Sequence, residues 1–184
     1  MGQYLQMGIC NRIFVKKDRI NKLNTTLEKV IEALNKEMDM SLYDQSETED
    51  EFVFSLKDKI ISEQLLDFLR FQYSLYTQEE PYTNCFNTVL KMISEHNSFE
   101  QIEEILSKKS FPCFQSSNVF DQIKVNVQDW IYDWIYIEYS LWLLFLEGKI
   151  FLESYNDFFR YLENQVREAS KKWSIAGAFR CFIE

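Results

Sequence analysis

The 184-residue chain carries 20 Lys and Arg against 29 Asp and Glu, a net charge of −9, and it contains only 4 Gly and 2 Pro. That charge argues against nonspecific nucleic-acid binding, which needs clustered cations to displace counterions. The shortage of turn residues argues against a loop-rich sandwich and predicts long regular elements. The length predicts a single domain over 1–184 with a core that needs no disulfide or metal staple.

Residues 3–15 (QYLQMGICNRIFV) alternate as a strand, with Leu5, Met7, Ile9, Asn11, Ile13 and Val15 on the more apolar face. A helix is expected next, capped by Asp18. Ile20, Leu23, Leu27, Val30, Ile31, Leu34 and Met38 recur along it at three- and four-residue spacing. Residues 41–51 (SLYDQSETEDE) read as a polar, acidic loop, and 51–57 (EFVFSLK) as a short strand. Ser62 opens a second helix that runs to about residue 77, and 79–84 (EEPYTN) breaks it. Short helices are expected over 86–95 and from Ser98, the latter with Gln101 in the capping-box position. Residues 108–118 read as a loop, and 122–127 (QIKVNV) offer an extra strand.

The stretch 141–146 (LWLLFL) is too short to span a bilayer and is ended by Glu147, Gly148 and Lys149. From residue 131 one parity (Ile131, Asp133, Ile135, Ile137, Tyr139, Leu141, Leu143, Phe145) is almost wholly apolar. The other parity, which includes Trp134, Tyr136, Glu138 and Trp142, is mixed. With Glu147-Gly148 as the turn and 149–153 as the return, this reads as a sheet hairpin. A helix over 129–146 competes, because Trp130, Trp134, Ile137 and Leu141 also fit its period. Ser154 caps a last helix bearing Phe158, Leu162, Val166 and Ala169, and 173–184 form a final strand that can lie beside the first. The resulting fold class is α+β, a mostly antiparallel sheet with helices packed on one face, in the order β-α-β-α-α-α-β-β-α-β.

The opening residues MGQYLQMGICNRIFVKK lack the basic and apolar regions of a signal peptide, and Gln6 stands where a myristoylation motif has Ser or Thr. A cytoplasmic protein with no membrane partner is expected. Cys10, Cys85, Cys113 and Cys181 form no C-x-x-C pair, so reduced thiols and no metal site are expected. The single histidine, His96, lies in a polar junction, and no phosphate-binding, nucleophile-elbow or metalloprotease motif occurs. No catalytic residue, cofactor site or nucleic-acid platform is assigned.

Two groups remain as candidate partner-binding surfaces. Glu47, Glu49, Asp50 and Glu51 crowd one polar segment, which is either a plain solvated loop or a patch for a basic protein. Trp134, Tyr136 and Trp142 are either core or the centre of an interface. Glu138, between aromatics on a strand, needs a cationic partner or a sheet edge. The pairs Lys16-Lys17, Lys108-Lys109 and Lys171-Lys172 read as solvated ends of elements.

A short acidic α+β chain that opens directly on a strand (MGQYLQMGIC) and lacks catalytic motifs resembles the small cytoplasmic immunity proteins of bacterial toxin systems. The resemblance is one of general character and carries over no site residues. It implies a noncatalytic protein that binds and blocks a cognate toxin, its acidic surface suiting a basic nuclease toxin. An enzyme with a carboxylate-based site and a homo-oligomeric structural module joined through the aromatic hairpin are the alternatives.

Overall fold

The computed structural model describes residues 5–76, 91, 95, 115–127, 134–146 and 164–183. They form an α+β fold with a six-stranded sheet. The strands are β1 (Leu5–Lys16), β2 (Tyr43–Glu47), β3 (Glu51–Leu56), β4 (Gln115–Asn126), β5 (Trp134–Leu146) and β6 (Phe179–Ile183). The helices are α1 (Lys17–Lys22), α2 (Leu27–Leu34), α3 (Asp58–Ile60), α4 (Leu66–Tyr76) and α5 (164–170). Sheet order is β2-β3-β1-β5-β4, with β6 also pairing β1. The β1–β3, β1–β6 and β2–β3 pairs are all antiparallel. The first and last strands therefore do lie side by side, from Leu5↔Ile183 to Ile9↔Phe179.

The chain divides into two compact units, 10–57 with 117–141, and 1–9 with 58–116 and 142–184. In the first unit, Ile13 and Val15 of β1 and Ile135, Ile137 and Tyr139 of β5 are buried, as alternation predicts. Phe54 of β3, opposite Ile13, and Leu56 are buried as well, and so are Ile20, Val30, Ala33 and Leu34 of the helices. Residues 134–146 are strand, which rules out the competing helix there. The return strand expected over 149–153 lies outside the described residues.

Several expectations are corrected. The single helix from Asp18 to Met38 is two helices. Asn24, at φ 49, takes the left-handed conformation that ends α1. The Thr26 hydroxyl then accepts the Lys29 N–H at 3.4 Å and caps α2. Asp18 is not a cap. It stands in the first turn of α1 and pairs with Lys22 at 3.3 Å. The acidic loop is in part a strand: β2 leaves only Tyr43 buried, so no alternation betrays it. The optional strand over 122–127 is real and starts earlier, at Gln115.

In the second unit the helix expected from Ser62 begins at Asp58 and passes through a π-helical turn (Ile61–Leu65) into α4. The final strand starts later than expected, because Ser174–Ala178 form a 3₁₀ turn before β6. The Gln64 side-chain oxygen joins these two irregular turns. It accepts from Ser174 Oγ at 3.0 Å and from the Ile175 N–H at 3.1 Å. Phe68, Phe71, Trp173 and Phe179 pack around this point, with Phe68 edge-on to Trp173 at 6.2 Å. Of the helix expected over 86–95, Lys91 and Glu95 are described, and both are helical.

Candidate functional site: the acidic hairpin and the row beside it

All four acidic candidates belong to one hairpin. Glu47 ends β2, Glu49 and Asp50 form its tip, and Glu51 opens β3. The turn is closed by the Thr48 N–H donating to Glu51 O at 2.8 Å. The Thr48 hydroxyl accepts the Glu51 N–H at 3.2 Å. This leaves the Thr48 carbonyl for another donor, and Lys17 supplies it.

Lys17 sits where β1 passes into α1, and four interactions tie it to the hairpin. Its backbone N–H donates to Asp50 O at 2.9 Å. Its Nζ donates to Thr48 O at 2.6 Å. The same ammonium lies 3.3 Å from Glu47 Oε2 and 5.1 Å from the centre of the Phe52 ring. The cation thus holds the acidic turn to the end of β1, and Glu49 and Asp50 project as exposed residues beyond it. The expectation that Lys16-Lys17 is solvated punctuation is overturned.

Lys16 points into a second arrangement. Its register partner on β3 is Glu51, and its Nζ lies 3.0 Å from Glu138 Oε1 on β5. Glu138 is half-buried, with a side chain 21 % exposed, and it finds the cationic partner its position demands. The hydrogen bond and charge of Glu138 hold the Lys16 ammonium above the usual lysine range, with Glu51 adding to the effect. Glu51, Lys16 and Glu138 therefore form a row across β3, β1 and β5. The neighbouring cross-strand pairs are Phe14↔Val53, both half-buried, and Arg12↔Ser55, with Arg12 exposed. This face of the first unit's sheet is mixed polar and apolar, opposite the dry face that carries Ile13 and Val15.

The aromatic candidates divide. Trp134 and Tyr136 stand at even positions of β5, the parity of Glu138, within the same unit as the acidic hairpin. Trp142 belongs to the other unit. Sequence reasoning missed Lys17 and Lys16 as site residues. Their partners lie far along the chain: Glu47 and Thr48 for Lys17, at the end of a strand over 43–47, and Glu138 on β5 for Lys16.

Cys10 is buried, with its carbonyl accepting the Tyr43 hydroxyl at 2.7 Å. Among the described residues no cluster of His, Cys, Asp and Glu is arranged to hold a metal ion. Among them, too, no helix is long and apolar enough to cross a membrane. No protein-family model matches the chain, and no curated protein or solved structure is significantly similar to it.

Proposed function

We propose that this chain is a noncatalytic protein-binding module that recognises a basic partner through the β2–β3 hairpin. It acts in the cytoplasm in the manner of an immunity protein that blocks a toxin. The observation that carries this reading is the clipping of the acidic turn by Lys17. A carboxylate cluster on a floppy loop loses conformational freedom on binding, whereas a turn already held pays less of that cost. Glu49 and Asp50 then present negative charge in a fixed place, which speeds encounter with a cationic surface. The net charge of −9 adds long-range attraction for the same class of partner. A nuclease toxin, itself cationic to hold its substrate, fits that description.

The test uses the full chain as bait in lysate of its own host at low salt. A variant carrying Glu47→Gln, Glu49→Gln, Asp50→Asn and Glu51→Gln serves as the parallel bait. The expected result is a stoichiometric basic protein held by the wild type, released by salt and lost from the variant. Equal retention by both baits would count against the hairpin as the recognition element.

A further inference from the structure

β2 is the outer strand of the sheet order, and Asp44, Gln45, Ser46 and Glu47 are all exposed. The phase of its hydrogen bonding is fixed at both ends. At the turn the Thr48 N–H donates to Glu51 O at 2.8 Å, and at the far end the Lys57 N–H donates to Leu42 O at 3.0 Å. Between them the register runs without interruption from Tyr43↔Leu56 to Glu47↔Phe52. Antiparallel pairs alternate between bonded and non-bonded. The main-chain groups of Asp44 and Ser46 therefore turn toward β3, while the N–H and C=O of Gln45 and Glu47 turn outward along the sheet edge. Such an edge is a template for another strand.

The edge also selects by charge. Asp44 and Glu47 lie in the strand itself, and Glu49 and Asp50 stand at its end. A second copy of the chain carries the same net charge of −9, so repulsion opposes self-pairing. A cationic segment is attracted instead. We infer that the β2 edge accepts an extended Lys- or Arg-bearing segment of the partner protein as an added strand. The main chain of that segment pairs with Gln45 and Glu47, and its cations face Asp44, Glu49 and Asp50. The inference rests on the reading of the hairpin as a recognition element for a basic partner and adds the mode of binding.

The probe is a fluorescent decapeptide of alternating Lys and Thr, titrated into the full chain at low salt. Its counterpart is the same peptide N-methylated throughout its backbone, which keeps the charge and removes the main-chain donors. The wild type is expected to bind the unmodified peptide about tenfold or more tightly than the methylated one, as loss of one or two net hydrogen bonds implies. Amide exchange at Gln45 and Glu47 should slow on binding. Gln45→Pro removes an outward N–H without touching the β2–β3 bonds or any carboxylate. It should weaken binding of the unmodified peptide severalfold through loss of that one bond and leave the methylated peptide unaffected, since the Gln45 and Glu47 carbonyls still accept from the unmodified peptide. Equal affinity of the wild type for both peptides would overturn strand addition and leave the electrostatic reading standing. Failure to bind either peptide would overturn both. If Gln45→Pro does not fold, the two peptides and the exchange rates on wild-type protein decide alone.

Discussion

Replacing Lys17 by Met removes the ammonium and keeps an apolar stem over the Phe52 ring. The lost interactions are a charge-assisted hydrogen bond to Thr48 O at 2.6 Å and an ion pair with Glu47 at 3.3 Å. A hydrogen bond to a charged group is worth about 1.5–3 kcal/mol. The Lys17 side chain is 29 % exposed, which places its bond at the lower end of that range. Glu47 is 64 % exposed, so its pairing adds at most about 1 kcal/mol. The sum is about 2 kcal/mol, or about 4–8 °C in melting temperature for a chain of this size. Lys22→Met is the control. It breaks only the exposed pair with Asp18 and should cost no more than about 0.5 kcal/mol. Circular-dichroism melts of both variants give the comparison, and amide exchange locates the loss in residues 43–56. If Lys17→Met melts within error of Lys22→Met, Lys17 does not hold the hairpin and the argument for a preorganised turn fails.

Thr26→Ala should cost about 1 kcal/mol through loss of the α2 cap, measured by urea denaturation. The Glu28 carboxyl is held below the usual carboxylate range by its own backbone N–H and by the Thr26 hydroxyl. The stability this gives is present above the ordinary value of 4.5 and is lost as pH falls below it, so the gap between wild type and Thr26→Ala should narrow in acid. Lys16 shows the opposite sign. Its raised pKa stabilises the fold below 10.5 and ceases to do so as pH rises beyond that value. Melting temperatures of wild type and Glu138→Gln should accordingly converge in strong alkali. Gln64→Leu leaves the Ile175 N–H without its acceptor and should cost about 1–3 kcal/mol, again by urea denaturation.

The parts of the fold that were legible are those in which one face is dry. Ile13, Val15, Ile135, Ile137 and Tyr139 recur at every second position because their sheet buries one side, and period two follows directly. β2 was hidden for the converse reason. With every residue after Tyr43 exposed, this edge strand needs no alternation, and YDQSE reads as loop. The break at Asn24 was masked because Leu23 and Leu27 continue the spacing of one helix. The Asn24-Thr25-Thr26 stretch did hold the signal, an αL-tolerant residue followed by a capping hydroxyl. At the candidate site the acidic residues were visible as charge density. The cations that organise them were not, since Lys17 meets Thr48 across 31 positions of sequence and Lys16 meets Glu138 across the sheet.

If the acidic hairpin captures a cationic partner, association kinetics will carry its electrostatic signature. Stopped-flow binding of the Lys–Thr decapeptide is measured at two ionic strengths for the wild type and for the variant with Glu47, Glu49, Asp50 and Glu51 neutralised. The wild-type on-rate should fall with salt and the variant's should fall less, while dissociation rates stay nearly equal. Equal salt slopes for the two proteins would contradict capture by the hairpin and place the binding face elsewhere.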